Sequence, residues 1–252
     1  MIRTLAACLL VLAATFSASS QSCTYNAGFH LVEGRDSTPQ PTMARPTAGA
    51  WYKDPVYGTC VVRATDFRAE GFSDFARNDY SRRQAFNADN SMYLIYGNRG
   101  AWQVYSIATL QRIKELPYLG GDAEPQWHPT NPDLLYFLPT NGGMVIYELT
   151  VSTGTRRTVA DFTGRLPWPT AVHVWTKSEG SPSADARYWG LMVDDDSWAS
   201  LGFFTYDMQR DSIVATYATN GRRPDNVSMS PTDQYLVVNW DELRFRHWKG
   251  FP

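Results

Sequence analysis

Four histidines, His30, His128, His173 and His247, are the side chains best suited to moving a proton near neutral pH. His128 stands in "EPQWHPT" with Glu124 and Gln126 beside it, a grouping that fits a metal ligand or a general base. His173 stands in "WPTAVHVWTKSEG", with Lys177 and Glu179 a few residues on. Three carboxylates in "DDDSW" (194–198) are the hard oxygen donors that calcium prefers. "NVS" at Asn226 matches the pattern for N-glycosylation. Glycine-rich phosphate loops, HExxH, GxSxG and CxxC are absent from the sequence. The expectation is therefore no cofactor and no metal site.

The elements that hold these residues repeat. "NADNSMYLIYG", "HPTNPDLLYFL", "SPSADARYWGLMV" and "SPTDQYLVVNW" each set a polar turn before an apolar strand. Their turn-start residues, Asn87, His128, Ser181 and Ser230, lie roughly 40 to 50 residues apart. A short turn follows the first three, then strands "WQVYSIATLQ", "MVIYELTVSTG" and "GFFTYDMQRD" with Tyr105, Tyr147 and Tyr206 in matching places. Last come "RIKELP", "TRRTVADF" and "SIVATYA". Four short strands per unit predict an all-β propeller of four-stranded blades. The units fall near 81–121, 122–165, 170–220 and 223–252 within a propeller region of 51–252. Three are full and the fourth, closing with "DELRFRHWKGFP", is partial, so the expected ring is incomplete. The expectation is a truncated member of a longer family, with completion of the ring by another copy as the alternative, since an open ring leaves a strand edge available for self-association.

In this fold the innermost strands line a central channel. Four residues before each turn start lie Arg83, Glu124, Lys177 and Asn226. Two before it lie Ala85, Gln126, Glu179 and Ser228. Side chains alternate with period two, so these sets share a strand face. With Arg82 and Asp225 they define the expected ligand-binding channel, where Arg83 and Lys177 would meet carboxylates or sulfates. The competing reading is a watery channel in which Arg83, Glu124 and Lys177 neutralise one another. The same alignment sets His128 against Asn87, Ser181 and Ser230, which favours a backbone-bonding turn residue over a metal ligand. It also sets "DDDSW" over hairpin turns, with Trp198 against Trp102, as a solvated turn. Asn226 opens an inner strand and is expected to be buried rather than glycosylated.

The ends and the composition bound the rest. Arg3 followed by an apolar run over residues 5–16 and then small residues reads as a cleaved signal peptide, residues 1–20. The run is too short for a bilayer, which needs about 20 apolar residues. Residues 21–50 are a polar tail rich in Pro and Thr. The expected location is periplasmic or extracellular. Beyond the signal two cysteines remain, Cys23 and Cys60, either disulfide-bonded or as two free thiols. A formal net charge of −2 and no basic stripe argue against a nucleic-acid partner. Nine Trp, 14 Tyr and 12 Phe suit pleated sheets.

"SPSADARYWGLMV" and "SMSPTDQYLVVNW" resemble the turn-and-strand of TolB-like propeller repeats. They are also similar to blades of oligogalacturonate-lyase-like and ulvan-lyase-like secreted propellers. For fold the resemblance is specific; for activity it is weak. It implies, for a lyase, a His or Tyr base and an Arg or metal that neutralises the uronate carboxylate: here His173 or Tyr80 as base, and Arg82 or Arg83 as neutraliser. The multi-histidine metal set of the oligogalacturonate lyases is not found. Two functions follow. One is an exported binding module that recognises a glycan or protein partner at the channel mouth, using aromatic loops such as "RLPWPT" and "DDDSW". The other is a polysaccharide lyase-like enzyme acting by β-elimination through His173, Tyr80 and Arg83.

Overall fold

The apolar runs after each turn become strands covered on both faces, and this determines the architecture. In the computed structural model the residues described are Gly34, 42–80, 83–97, 100–240 and the backbone of 246–249. They belong to two compact units, residues 1–64 and 65–252. The first unit contains a hairpin of β1 (Trp51–Lys53) and β2 (Cys60–Val62), paired antiparallel. Its turn is closed by the Asp54 carboxylate, which accepts the amides of Val56 and Tyr57. Cys60 is disulfide-bonded. Its expected partner Cys23, like the signal segment, lies outside the described residues.

The second unit is four antiparallel sheets in which chain neighbours are sheet neighbours. The first holds β3 (Ala76–Arg77), β4 (Met92–Gly97), β5 (Trp102–Ser106) and β6 (Arg112–Glu115). The second holds β7 (Gln126–Trp127), β8 (Leu134–Phe137), β9 (Val145–Thr150) and β10 (Thr155–Asp161). The third holds β11 (Ala171–Trp175), β12 (Tyr188–Asp195), β13 (Ser200–Asp207) and β14 (Ser212–Ala218). The fourth holds β15 (Pro224–Met229), β16 (Tyr235–Trp240) and β17 (Arg246–Lys249). Three full blades and a three-stranded fourth match the sequence expectation. No helix occurs among the described residues, so none there is long and apolar enough to cross a membrane.

Second and third strands read as continuous apolar runs because sheets pack on both sides of them. Leu94, Trp102, Val104, Trp127, Leu135 and Phe137 fill the space between the first two sheets. Leu138, Ile146, Trp189, Leu191, Phe204 and Val238 belong to a continuous second core that runs on through the fourth sheet. The fourth strand of each blade is an edge. In the first two blades it carries exposed and charged residues, "RIKE" and "TRRTVAD", which discourages pairing with another chain.

A bulge marks each full blade at its tyrosine. Pairing shifts beside Tyr105, beside Tyr147 and beside Tyr206 as β5, β9 and β13 meet their outer strands. Tyr105 and Tyr206 are true equivalents. Tyr147 stands two residues away from theirs, and Leu149 takes the matching position.

Each blade also closes on a polar turn, and one gives a pH-dependent prediction. The buried Asp207 carboxylate accepts Arg187 at 2.9 Å and 3.2 Å, and also the amides of Gln209 and Arg210. Arg187 holds its pKa below the ordinary carboxylate value. A depressed folded-state pKa contributes stability above the unfolded pKa of about 4, and that stability is lost as pH falls through the folded value. Asp207→Asn is therefore expected to lower the neutral melting temperature and to flatten its fall on acidification. Melts at pH values from about 6 down to about 2 check this. An acid limb identical to the native one would contradict it.

Candidate functional site

The inner strands converge on one loop. In the third sheet β11 stops at Trp175, and the chain leaves the ladder for residues 176–182 before rejoining it at Ser183. Lys177 and Ser178 take positive φ, 60° and 65°, which turns successive amides toward one point. There the Glu124 carboxylate of the second blade accepts the amides of Thr176 at 2.9 and 3.0 Å and of Ser178 at 2.5 Å. From the first blade Arg83 donates to the Ser178 carbonyl (2.7 Å) and the Pro125 carbonyl (3.3 Å). Gln126 donates to the Gly180 carbonyl at 3.0 Å. On the fourth blade, Met229 donates its amide to the Ser181 carbonyl, and Ser181 donates to Ser228 Oγ. One loop thus ties all four sheets together.

This revises the channel. The turn of the third unit begins at Ser183, not Ser181. Ser183 exchanges bonds with Tyr188 as Asn87 does with Met92 and Ser230 with Tyr235. Counting back from the correct turn puts Glu179, not Lys177, in register with Arg83, Glu124 and Asn226. Asn226, 4% exposed, donates to Glu179 at 3.0 Å and is not a glycosylation acceptor. Arg83, Glu124 and Gln126 are all buried and bonded to backbone groups, Arg83 to Asp79 as well. They fasten a loop and are not open to a ligand. Burial pushes the Glu124 carboxyl above its usual range, against the pull of Arg83 and the loop amides. Arg82 lies outside the described residues.

The expected catalytic residues His173, Tyr80 and Arg83 differ in their surroundings. The Arg83 guanidinium is held by Asp79 at 2.8 Å and by the two carbonyls, and its side chain is 3% exposed, which closes it to a uronate. Tyr80 is 43% exposed on the segment before Arg83. His128 is a turn residue, as expected: its Nδ1 accepts the amides of Thr130 and Asn131.

A second cluster, at the end of the third sheet where β11 begins and β12 ends, does bring chemistry together. His173 pairs across the ladder with Asp194, and its ring stacks on Trp198 with centroids 4.0 Å apart and planes within 10°. Trp198, 38% exposed, also meets Trp175 at 5.3 Å. Asp194 is fully buried; its Oδ2 accepts Trp175 Nε1 at 3.1 Å and Arg223 Nη2 at 2.9 Å. Arg223 also donates to the Trp198 carbonyl. Burial raises the Asp194 carboxyl above its ordinary value, opposed by Arg223, Trp175, His173 and Lys177. Lys177 reaches Asp225 at 3.4 Å. Both cations remain about a third exposed.

"DDDSW" is therefore divided. Asp194 is a strand residue inside the protein. Asp195 closes the turn by accepting the amides of Ser197 and Ala199. Trp198 is a surface ring and not the counterpart of the buried Trp102, whose place by pairing belongs to Phe203. No family model matches the sequence, and no curated protein matches it. Solved structures do. An oligogalacturonate lyase from Vibrio parahaemolyticus superposes with a TM-score of 0.55 at 10% identity, over 81% of this chain and 57% of that one. An oligogalacturonate lyase in complex with manganese gives 0.56 at 14% identity with the same coverage. The Cps50 (Swd1) β-propeller domain of Myceliophteria thermophila gives 0.44 at 9% identity, over 68% of this chain and 53% of that one.

The fold is a β-propeller. At these identities the likeness is one of fold, and the propeller chain spans a little over half the length of the lyases. Among the described residues no three His, Cys, Asp or Glu side chains are grouped to hold a metal. The cluster itself does not fit a manganese ion: its buried carboxylate already faces Arg223, and Lys177 adds positive charge. What it offers is a flat aromatic platform flanked by two partly exposed cations.

Proposed function

We propose that the propeller is a glycan-binding module whose recognition surface is formed by Trp198, His173, Lys177 and Arg223, and that it favours uronate-containing chains. The observation that carries this reading is the parallel stack of Trp198 on His173, which backs the indole and presents its outer face at the end of the third sheet. Sugar rings present an apolar CH face to such a platform, and a rigid ring binds at little entropic cost. Arg223 and Lys177 would meet the uronate carboxylates through their exposed donors. Two solved structures that share the fold are oligogalacturonate lyases, which makes oligogalacturonides the first ligands to try.

Titration calorimetry with oligogalacturonides and with neutral glucans tests it. The acidic oligosaccharides should bind more tightly. Trp198→Ala should weaken them about tenfold, equivalent to about 1.4 kcal/mol. Unchanged binding in that variant would remove the platform from the reading, and silence toward every glycan would end it.

One arrangement favours the enzymatic alternative. His173 Nδ1 and Asp194 Oδ1, on register-paired residues, are both buried without a hydrogen-bond partner among the described residues. A carboxylate behind the inner nitrogen is how an imidazole is oriented as a base. In that reading His173 removes the C5 proton, with Arg223 in place of Arg83 as neutraliser. Polygalacturonate would then gain the ultraviolet absorbance of an unsaturated product, and His173→Ala would abolish the gain.

A further inference from the structure

A different site lies on the first sheet, on the face opposite the core it shares with the second. Pairing fixes which side chains stand there: Tyr105 opposite Arg112 and Gln103 opposite Glu115, with Val104 and Lys114 on the other side. In a regular strand, residues three apart point to opposite faces. The bulge at Ile113 removes one alternation, so Arg112 and Glu115 share a face. Between this face and residues 70–73, which line the other side, is an open pocket of about 440 Å³. That volume is within the range of small-molecule sites, roughly 300–1,000 Å³.

The cavity holds charges of both signs with unused bonding capacity. The Arg112 side chain has no hydrogen-bond partner among the described residues; its guanidinium lies 5.8 Å from the centre of the Phe72 ring. Glu115 accepts Gln103 Nε2 at 2.8 Å on one oxygen and has the other free among the described residues. Glu70 contributes its charge, while its oxygens are taken by the Asp66 amide and the Tyr105 hydroxyl. Blade architecture does not require this set. In the third sheet, where the bulge falls at the same place, the equivalents of Arg112 and Glu115 are Ile213 and Thr216.

We propose that this cavity binds a small zwitterion of the α-amino-acid or dipeptide type. Arg112 takes the carboxylate with paired N–H donors, and Glu115 takes the ammonium. Two carboxylates against one guanidinium leave the cavity negative, so a basic side chain is preferred over a neutral or acidic one. A sugar ring fits less well, because the Phe72 ring is occupied by Arg112 and lies against Gly97, where even a Cβ would come within 2.5 Å of it.

The test is calorimetry and ligand-observed NMR on the whole chain with L-lysine, L-alanine, L-glutamate and D-galacturonate. The expected order is lysine, then alanine, then glutamate. Arg112→Gln and Glu115→Gln should each weaken lysine about tenfold. Both positions are exposed, so the variants should keep the native melting temperature. Trp198→Ala should leave lysine binding unchanged, which separates this site from the glycan surface. Absence of amino-acid binding, insensitivity to both variants, or Arg112-dependent binding of galacturonate alone would overturn the proposal.

Discussion

Gly180→Ala is expected to destabilise the chain by more than about 4 kcal/mol, at the extreme of single substitutions. The reason is space rather than backbone strain. A Cβ on Gly180 would sit 1.9 Å from the Val227 carbonyl oxygen and 2.7 Å from the Thr176 side chain. Val227 belongs to the inner strand of the fourth sheet, so the obstacle is backbone and cannot rotate away. Making room means pulling the 176–182 loop off that sheet, which also breaks the Gln126 bond to the Gly180 carbonyl. A shift of roughly 2–4 °C per kcal/mol for a chain of this size should make the loss plain in a thermal melt. A melting temperature within about 2 °C of native would show that the loop does not carry the load assigned to it.

Glu124→Ala comes second, with an expected loss of about 3–5 kcal/mol, the usual result of removing one member of a buried charged set. The substitution strands the amides of Thr176 and Ser178 and removes the carboxylate that acts on Arg83. Glu124→Gln keeps a carbonyl oxygen for those amides and should cost clearly less than alanine. The pH dependence has the opposite sign to that of Asp207. Burial raises the Glu124 pKa, so its contribution is complete below the ordinary carboxylate range and fades as pH rises through the folded value. The Gln variant should therefore compare best with the native chain at neutral pH and worst in mild acid. Urea melts at the two pH values check the order. Equal losses at both would mean that Glu124 does not titrate as its burial implies.

Much of this was legible in the sequence because blades write themselves plainly. A polar turn leading into an apolar strand is a local feature, and all four copies survive in the structure. The channel was misread for an equally physical reason. Counting back from a turn identifies a strand face only while the ladder is continuous. In the third blade Trp175 pairs with Met192 while Ser183 already faces Tyr188, with seven residues looped out between. In the first, Arg77 pairs with Tyr96 and the ladder resumes at Ala85. Serine at both 181 and 183 hid the error, since either could start the turn. Asp194 reads as part of a solvated turn because a run of aspartates resembles one, Trp198 reads only as a loop aromatic, and nothing in the sequence singles out Arg223. The available signal was the length of β12, whose apolar run goes straight into the first aspartate.

The loop at 176–182 has a consequence for how the molecule comes apart. Repeat proteins whose units touch only their neighbours behave as chains of semi-independent modules, and their ends fray first. Here a segment of the third blade is bonded to the first across a sequence separation of 95 residues, and to the second and fourth as well. Losing any one blade exposes the buried charges of the others, so partial unfolding has no inexpensive intermediate. The same long separation must be closed before those bonds form, which delays the decisive step of folding. Hydrogen exchange should accordingly find the amides of Thr176 and Ser178 among the slowest in the chain, although they belong to no strand.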